Sequence, residues 1–340
     1  MVSDKWVVAR LSALGDVVLA TGVLDFWHRE RGWRFSVITR ASLVSIFKNH
    51  PAVDEVIGLG AEDLKFPVNL HKFKKIAAEY EGCGLIDLHG SLRTMLLSKV
   101  WKGKVSRYPK LGFARRLFLV SGHKLYDRCL LEHNVPQRYA MAVDNPPPEK
   151  KVLIPKIYLD ESEVQEADKL LASKGLSPGM RLIALHPYAT HPQKAWPLDC
   201  WLELTRLLAN QGISWFVIGQ EDEADLRFDA VSNGVDFTNK TDIRTTCGLL
   251  SRAKMLITAD SGPMHLGTAV ATPVLGLFGP TTRHWGFFPS GAPDQVLEAD
   301  CPGRPFSLHG KSAGALAAEC MRLISPEAVL EKILLHLNAN

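Results

Sequence analysis

The sequence predicts an α/β protein with two doubly wound parallel-sheet domains, and three observations lead to this fold class. The chain has 340 residues, which suits two domains at roughly 100–200 residues each. Short apolar runs alternate with amphipathic segments in both halves, as in parallel βαβ units. A proline-rich run near the middle of the chain interrupts the alternation, which predicts a boundary between the domains.

The first half alternates strand and helix patterns from its beginning. Each apolar run is followed by an amphipathic segment, which is the order of a parallel βαβ unit. Predicted strands occupy residues 6–11, 34–39 and 84–88, and predicted helices occupy residues 16–31, 42–49 and a stretch from residue 91.

The alternation stops at residues 144–155. Three consecutive prolines, Pro146 to Pro148, remove backbone donors and fix φ, so this run is neither a helix nor a central strand. We predict a semi-rigid interdomain linker. The predicted domains are therefore residues 1–150 and 151–325, with a C-terminal helix in residues 326–340.

The second half restarts the same pattern. Pro326 lies in the first turn of the last predicted helix, a position that tolerates proline. Predicted strands occupy residues 181–186, 214–219, 255–259 and 274–278, and predicted helices occupy residues 161–174, 198–211, 242–252, 263–271 and 326–337. Ligands of doubly wound sheets bind at the carboxyl ends of the strands, so we expect the site there.

Charge is distributed unevenly along the chain. The formal net charge is +4, and all 36 acidic residues lie outside residues 88–126. This asymmetry indicates an anionic partner, although a solvated basic surface gives the same pattern. The nine basic residues of the stretch are Arg93, Lys99, Lys102, Lys104, Arg107, Lys110, Arg115, Arg116 and Lys124.

Composition excludes several other classes of protein. The N-terminal apolar run carries Arg10 and is soon followed by Asp16, which is unlike a secretory signal. No uncharged apolar run approaches the ~20 residues that cross a bilayer. We therefore expect a cytoplasmic protein, with a peripheral contact at the inner face of the inner membrane as a further expectation. None of the six cysteines forms a C-x-x-C pair, which argues against a structural zinc site.

The first motif that could take part in catalysis joins the first strand to the first helix. Gly15 permits a tight turn there, and Asp16 follows at the predicted helix start. Asp16 is either an N-cap, which favours this residue type, or a catalytic carboxylate. A helix N-terminus keeps a carboxylate ionised, so Asp16 could act as a general base.

Two polar connections in the second half follow predicted strands. In residues 184–197, Thr190 offers a hydroxyl and Lys194 a point charge, which suits a diphosphate, although an ordinary surface loop is the alternative. In residues 258–265, the backbone N–H groups at Ser261 and Gly262 could bind phosphate at a helix N-terminus. Asp260 would repel a phosphate, so we expect it to contact sugar hydroxyls or a donor N–H. A capped helix start without a ligand is the alternative.

An acidic run after the predicted strand at residues 214–219 is a fourth candidate. One of its carboxylates, from Glu221, Asp222 or Glu223, could accept hydrogen bonds from a ribose diol. An acidic first helical turn explains the same residues without a ligand.

Missing motifs narrow the function further. The sequence has neither a G-x-x-x-x-G-K-[ST] loop nor a G-x-G-x-x-G turn after the first strand, which argues against a P-loop NTPase and a dehydrogenase. It also has no D-x-D motif, with which a metal-dependent sugar transferase would hold Mg²⁺ or Mn²⁺. Lys194 and backbone amides could replace that cation.

Taken in order, these motifs resemble those of glycosyltransferase family 9, the ADP-heptose:lipopolysaccharide heptosyltransferases. Leu14-Gly15-Asp16 is similar to the N-terminal signature of that family. Lys194-Ala195-Trp196-Pro197 resembles the middle signature. The later signature is similar to three separate segments, which are the run from Asp260 to Leu266, Thr272-Pro273-Val274 and Leu277-Phe278-Gly279-Pro280-Thr281.

The resemblance implies a GT-B fold and an inverting, metal-independent heptosyltransferase without cofactors. Its N-terminal domain would bind an anionic lipopolysaccharide-core acceptor, and its C-terminal domain an ADP-sugar donor. Asp16 would be the base, and no nucleic acid partner is expected. Donor contacts would come from Thr190, Lys194, Glu223, Asp260, Ser261, Gly262 and His265. We assign acceptor contacts to Arg93, Arg115 and Arg116, which lie in the acid-free stretch.

Three departures from the family pattern bear on the donor. Ser261 replaces the usual Thr, Ala195 replaces a common basic residue, and the loop at residues 188–193 has an additional His and Pro. Two alternative functions stay open on the same scaffold. A nucleotide-sugar epimerase would isomerise the donor without an acceptor, and a non-catalytic nucleotide-sugar binding protein would not turn over.

Overall fold

A computed structural model describes residues 5–177, 179–221, 228, 233–307 and 319–339 of the chain. The chain forms two compact units. The first comprises Met1–Lys110 and His133–Tyr158, and the second comprises Leu111–Glu132 and Leu159–Asn340. The segment Leu111–Glu132, which lies in the first half of the chain, therefore packs with the second unit. Which unit binds acceptor and which binds donor stays a prediction.

The first unit is built on a five-stranded sheet in the order β3-β2-β1-β4-β5, with every neighbouring pair parallel. Its strands are β1 (Lys5–Ala9), β2 (Arg34–Arg40), β3 (Val53–Leu59), β4 (Gly84–Asp87) and β5 (Val105–Arg107). Its helices are α1 (Leu14–Arg31), α2 (Val68–Glu79), α3 (Leu92–Val100) and α6 (Val135–Ala140), the last numbered by its place in the chain. Residues of β1 such as Val7 and Val8 are fully buried, as expected for a central strand covered on both faces.

The second unit contains a six-stranded sheet in the order β11-β10-β9-β6-β7-β8, again parallel throughout. Its strands are β6 (Leu182–His186), β7 (Ser214–Val217), β8 (Gly234–Asp236), β9 (Met255–Ala259), β10 (Val274–Phe278) and β11 (Gln295–Glu298). Its helices are α4 (Gly112–Val120), α5 (Asp127–Glu132), α7 (Glu161–Ala172), α8 (Leu198–Asn210), α9 (Ile243–Leu250), α10 (Gly262–Ala269) and α11 (Pro326–Ala339).

Both sheets reverse their strand order next to their first strand, beside β4 in the first unit and beside β9 in the second. Crevices at the carboxyl ends of such strands are the usual ligand sites of doubly wound sheets. The predicted fold class, two doubly wound parallel sheets, is therefore confirmed. The short helix predicted at residues 42–49 is a 3₁₀ helix at Ala41–Phe47.

The proline-rich segment packs along α1. Asp144 accepts a hydrogen bond from Trp27 Nε1 at 2.7 Å, and Asp25 accepts one from the Tyr158 hydroxyl at 2.6 Å. Gly22 permits a close approach, because a Cβ there would lie 2.4 Å from the carbonyl oxygen of Ile154. The run contains only a 3₁₀ turn at Lys150–Val152 and is anchored to the first unit by these contacts.

Candidate functional site

The carboxylate of Asp16 lies just after β1, and both of its oxygens are held by neighbouring side chains. An Arg10 guanidinium nitrogen lies 2.7 Å from Oδ2, and the Tyr139 hydroxyl donates to Oδ1 at 2.7 Å. The Asp16 side chain is 22% exposed, whereas that of Arg10 is 6% exposed. A cation and an O–H donor both favour the ionised carboxylate, and its partial exposure leaves it accessible to a ligand.

Asp16 does not cap α1 in the predicted manner. The helix begins at Leu14, so Asp16 is its third residue, and Oδ2 accepts from the backbone N–H of Ala13 at 3.4 Å. This distance is long for a hydrogen bond, so capping contributes little to the position of the carboxylate. The contacts with Arg10 and Tyr139 fix it instead.

Arg10 and Tyr139 form a buried support for the carboxylate. Arg10 donates to the carbonyl oxygen of Leu88 at 2.5 Å, and its guanidinium carbon lies 5.3 Å from the centre of the Tyr139 ring. Burial opposes the charge of Arg10, but Tyr139 and Asp16 outweigh it and raise the pKa of the guanidinium. Burial also raises the pKa of Tyr139 well above its usual value, so its hydroxyl stays protonated and can donate.

His89 adds a second polar feature at the carboxyl end of the neighbouring strand. The Asp87 carboxylate accepts from the backbone N–H groups of His89 and Gly90, both at 2.9 Å, and so shapes the turn after β4. Burial, then the positive charges of Arg10 and Lys110, lower the pKa of His89 to about 4. His89 is therefore neutral near pH 7, and it lies near both the positive charges of Arg10 and Lys110 and the negative charge of Asp16.

The three arginines predicted to bind the acceptor are not grouped in one unit. Arg93 belongs to the first unit, where its Nε donates to the carbonyl oxygen of Leu64 at 3.2 Å. Arg115 and Arg116 lie in α4 and belong to the second unit. There the guanidinium of Arg115 donates to the carbonyl oxygen of Trp285 at 3.3 Å.

In the second unit, Lys194 and Asp260 are brought together from two connections that follow β6 and β9. The Lys194 ammonium lies 2.6 Å from Asp260 Oδ2, and the Thr281 hydroxyl donates to the same oxygen at 2.8 Å. Both charged side chains are largely buried. The predicted diphosphate-binding cation is thus paired with the predicted sugar-binding carboxylate. Thr281, which belongs to the later family signature but was not predicted as a contact, is an additional neighbour.

Trp196 explains how the loop presents Lys194. Its indole is buried against Trp201, with ring centres 4.9 Å apart, and its Nε1 donates to the carbonyl oxygen of Ile324 at 2.9 Å. Lys194 closes the 3₁₀ turn Pro192–Lys194 immediately before this anchor. Thr190 lies exposed in the same loop.

Ser261 stands at the N-terminus of α10 and contacts two buried groups. Its hydroxyl lies 3.2 Å from His186 Nδ1 and 3.1 Å from the Thr258 hydroxyl. Burial lowers the pKa of His186 to about 3, so the imidazole is neutral at pH 7 and orients Ser261 without competing for an anion. Backbone N–H groups at the start of a helix such as α10 can bind an anion.

The remaining predicted donor residues differ in what the structure shows of them. Glu223 lies outside the described residues. The alternative, Glu221, is described, and Asn239 holds its backbone through hydrogen bonds of 3.0 and 2.8 Å. His265 is buried in α10, with its ring centre 6.3 Å from that of Phe287.

Sequence reasoning missed Arg10, Tyr139 and His186 as site residues. Arg10 and His186 lie at the carboxyl ends of β1 and β6, which is a signal that could have identified them. Tyr139 is 123 residues from Asp16 in the chain, and no local motif connects them. Among the described residues, no cluster of three or more His, Cys, Asp or Glu side chains is arranged to hold a metal ion. The described helices also include none with the length and apolar character to span a bilayer.

Comparisons with known proteins identify the family of the chain. The family model for glycosyltransferase family 9 (heptosyltransferase) matches residues 73–296. Lipopolysaccharide heptosyltransferase 1 of Pseudomonas aeruginosa is 26% identical over 321 residues, covering 88% of this chain and 84% of that protein.

Two solved structures share the fold. A family 9 glycosyltransferase of Veillonella parvula has a TM-score of 0.78 and 20% identity, covering 99% of this chain and 97% of its own. The ADP-heptose lipopolysaccharide heptosyltransferase II of E. coli has a TM-score of 0.73 and 21% identity, covering 98% of this chain and 99% of its own. The predicted GT-B fold class is confirmed, and the family match covers more than half of the chain. The chain therefore belongs to glycosyltransferase family 9 and is a glycosyltransferase.

Proposed function

We propose that this glycosyltransferase transfers a heptose from ADP-heptose to the anionic inner core of lipopolysaccharide in the cytoplasm, with inversion and without a metal. The names of its relatives, a lipopolysaccharide heptosyltransferase and an ADP-heptose lipopolysaccharide heptosyltransferase, support this substrate class. The observation that carries the chemistry is the Asp16 carboxylate, held on both oxygens at the carboxyl end of β1.

Asp16 acts as the general base. It accepts the proton of an acceptor hydroxyl while that oxygen forms a bond to the anomeric carbon of the donor. The bond from the anomeric carbon to the diphosphate oxygen breaks on the opposite face, and ADP leaves with the bonding electrons. Arg10 and Tyr139 are positioning residues, because they fix the carboxylate and do not themselves exchange the proton.

The second unit supplies the groups that stabilise the leaving ADP. Lys194 provides a positive charge, and Ser261 and Gly262 provide donors at the helix N-terminus, where negative charge is stabilised. An incoming diphosphate competes with Asp260 for Lys194, which frees Asp260 to accept from sugar hydroxyls. In this mechanism, these groups stabilise the negative charge of the diphosphate without a divalent cation.

We also propose roles for the remaining predicted donor and acceptor contacts. Thr190, Glu223 and His265 are proposed donor contacts. Arg93, Arg115 and Arg116 are proposed acceptor contacts. His89 adds a neutral polar group near the charges of Arg10 and Asp16.

An Asp16→Asn variant tests the base. We expect ADP release in the presence of acceptor to fall by about 10²–10⁴-fold, the usual range for a general base. Thermal stabilisation by ADP should persist, because the proposed ADP contacts lie in other residues. Asp54→Asn makes the same change at a surface ion pair of the first unit with Arg34 and is the matched control. Near-normal turnover of Asp16→Asn would contradict the assignment.

A comparison of nucleotides tests the donor class. Thermal unfolding of the purified protein is followed with ADP, UDP, GDP or NAD in the presence of EDTA. A ligand that binds only the native state raises the unfolding temperature, so ADP should stabilise the protein most. A preference for UDP would exclude ADP-heptose as donor but retain glycosyl transfer. A response that requires added metal would contradict the metal-independent mechanism.

A further inference from the structure

Helix α4 presents apolar side chains on two opposite faces. Ala114 and Phe118 face inward and are buried with Leu130 and Trp285. Phe113 and Val120 are 69% and 85% exposed. Residues 113, 116, 117 and 120 follow the i, i+3, i+4, i+7 spacing of a single helix face, which is normally polar on the outside of a globular protein.

The inward face of α4 packs against other residues of the second unit. The Phe118 ring lies 4.5 Å from the His284 ring, centre to centre, and His284 Nε2 lies 2.8 Å from Asp127 Oδ1. Arg115 donates to the carbonyl oxygen of Trp285 on the same side. The outward face therefore cannot be buried by rotating α4 without breaking these contacts.

The residues after α4 extend this apolar and basic character. Leu125 and Tyr126 are 51% and 44% exposed, and exposed basic side chains accompany them. We define the α4–α5 surface as Phe113, Arg116, Val120, Lys124, Leu125, Tyr126 and Arg128, all exposed. The surface thus combines large apolar side chains with three cations and no acidic residue, although Asp127 lies beside it in contact with His284.

We propose that the α4–α5 surface docks on an anionic membrane surface. Apolar side chains can enter the boundary between headgroups and acyl chains, while arginine and lysine bind anionic headgroups. A second copy of the chain is a poorer occupant, because a two-fold contact would place the same cations against each other. This proposal rests on the proposed function, since it names the membrane that carries a lipopolysaccharide acceptor as the partner.

Vesicle co-sedimentation tests the proposal without donor or acceptor, so its result does not depend on heptosyl transfer. The full chain is mixed with phosphatidylcholine vesicles that contain or lack phosphatidylglycerol. We expect binding only to the anionic vesicles, weakening as salt is added. Phe113→Ser combined with Val120→Ser should reduce the partition coefficient by about tenfold or more. Arg116→Glu should reduce it by about fivefold or more, since each basic residue near such a surface contributes a factor of this size.

Leu335→Ser is the matched control, because Leu335 is also a large exposed apolar side chain on a helix of the second unit, outside the α4–α5 surface. It should bind vesicles as the unmodified protein does. Lack of binding to anionic vesicles, or equal binding by all variants, would overturn the proposal. Concentration-dependent dimerisation that the Phe113→Ser, Val120→Ser variant abolishes, without vesicle binding, would assign the surface to a second copy and also overturn it.

Discussion

Replacing Tyr139 with phenylalanine isolates one contact to the proposed base. The ring is retained, and with it the packing against Arg10 and against Tyr108, whose ring centre lies 5.0 Å away. The change removes only the O–H donor at 2.7 Å from Asp16 Oδ1. A hydrogen bond to a charged group contributes about 1.5–3 kcal/mol. Loss of this donor should therefore make the carboxylate protonate at a higher pH in the variant.

The assay is kcat/KM for transfer, followed as ADP release, across the pH range. We expect the acid limb of the profile to move to higher pH, with a loss of about tenfold at the plateau because the carboxylate is less well oriented. Tyr158→Phe is the matched control, since Tyr158 donates a similar bond at 2.6 Å to Asp25 in the same helix. Asp25 lies nine residues beyond Asp16, or about 13 Å along α1.

The control variant should lose stability without moving the acid limb. The role of Tyr139 in holding the base would be refuted if the acid limb of the kcat/KM profile stayed at the same pH in Tyr139→Phe. An equal shift of the acid limb in Tyr158→Phe would refute it as well.

Two further predictions concern the donor site and acid stability. Lys194→Met should weaken ADP binding by about tenfold or more, because it removes a charge-assisted contact to the diphosphate. Calorimetric titration measures the Kd for ADP, with Lys240→Met, a change at an exposed lysine, as the control. An unchanged Kd in Lys194→Met would show that Lys194 does not contact ADP. His50 is a buried histidine whose Nδ1 accepts from Ala52 N–H at 3.2 Å and whose Nε2 lies 3.1 Å from the carbonyl oxygen of Thr21. Burial lowers the pKa of His50 from 6.5 to about 4, so its contribution to stability is present above pH 6.5 and is lost as pH falls through about 4. The free energy of unfolding should therefore fall by about 2 kcal/mol from this group between pH 7 and pH 5. Urea unfolding at both values should show a smaller fall in His50→Gln, and an equal fall would contradict the assignment.

The central strands could be predicted from sequence because they are continuous apolar runs buried on both faces. β1, β6, β9 and β10 lie within or close to the predicted spans. The edge strand β3 was missed, since Asp54 and Glu55 interrupt its apolar pattern on an exposed edge. The short strands β5 and β8 have three residues each, too few to establish a periodicity.

The candidate site was predictable where motifs follow central strands. Asp16, Lys194 and Asp260 occupy the expected connections, and the structure pairs Lys194 with Asp260. The sequence could not indicate that Tyr139 reaches Asp16, because that contact depends on how α6 packs against α1. The same limit applies to residues 111–132, whose packing with the second unit follows from long-range contacts such as that between Phe118 and Trp285.

The most direct test of the central claim is the product formed from ADP-heptose and a lipopolysaccharide inner-core acceptor in the presence of EDTA. Mass spectrometry should show the addition of one heptosyl residue to the acceptor, and NMR should show that the anomeric configuration is inverted relative to the donor. The Asp16→Asn variant should form this product at least about 10²-fold more slowly under the same conditions. Donor isomerisation without acceptor, ADP binding without turnover, or a product with retained configuration would contradict the account.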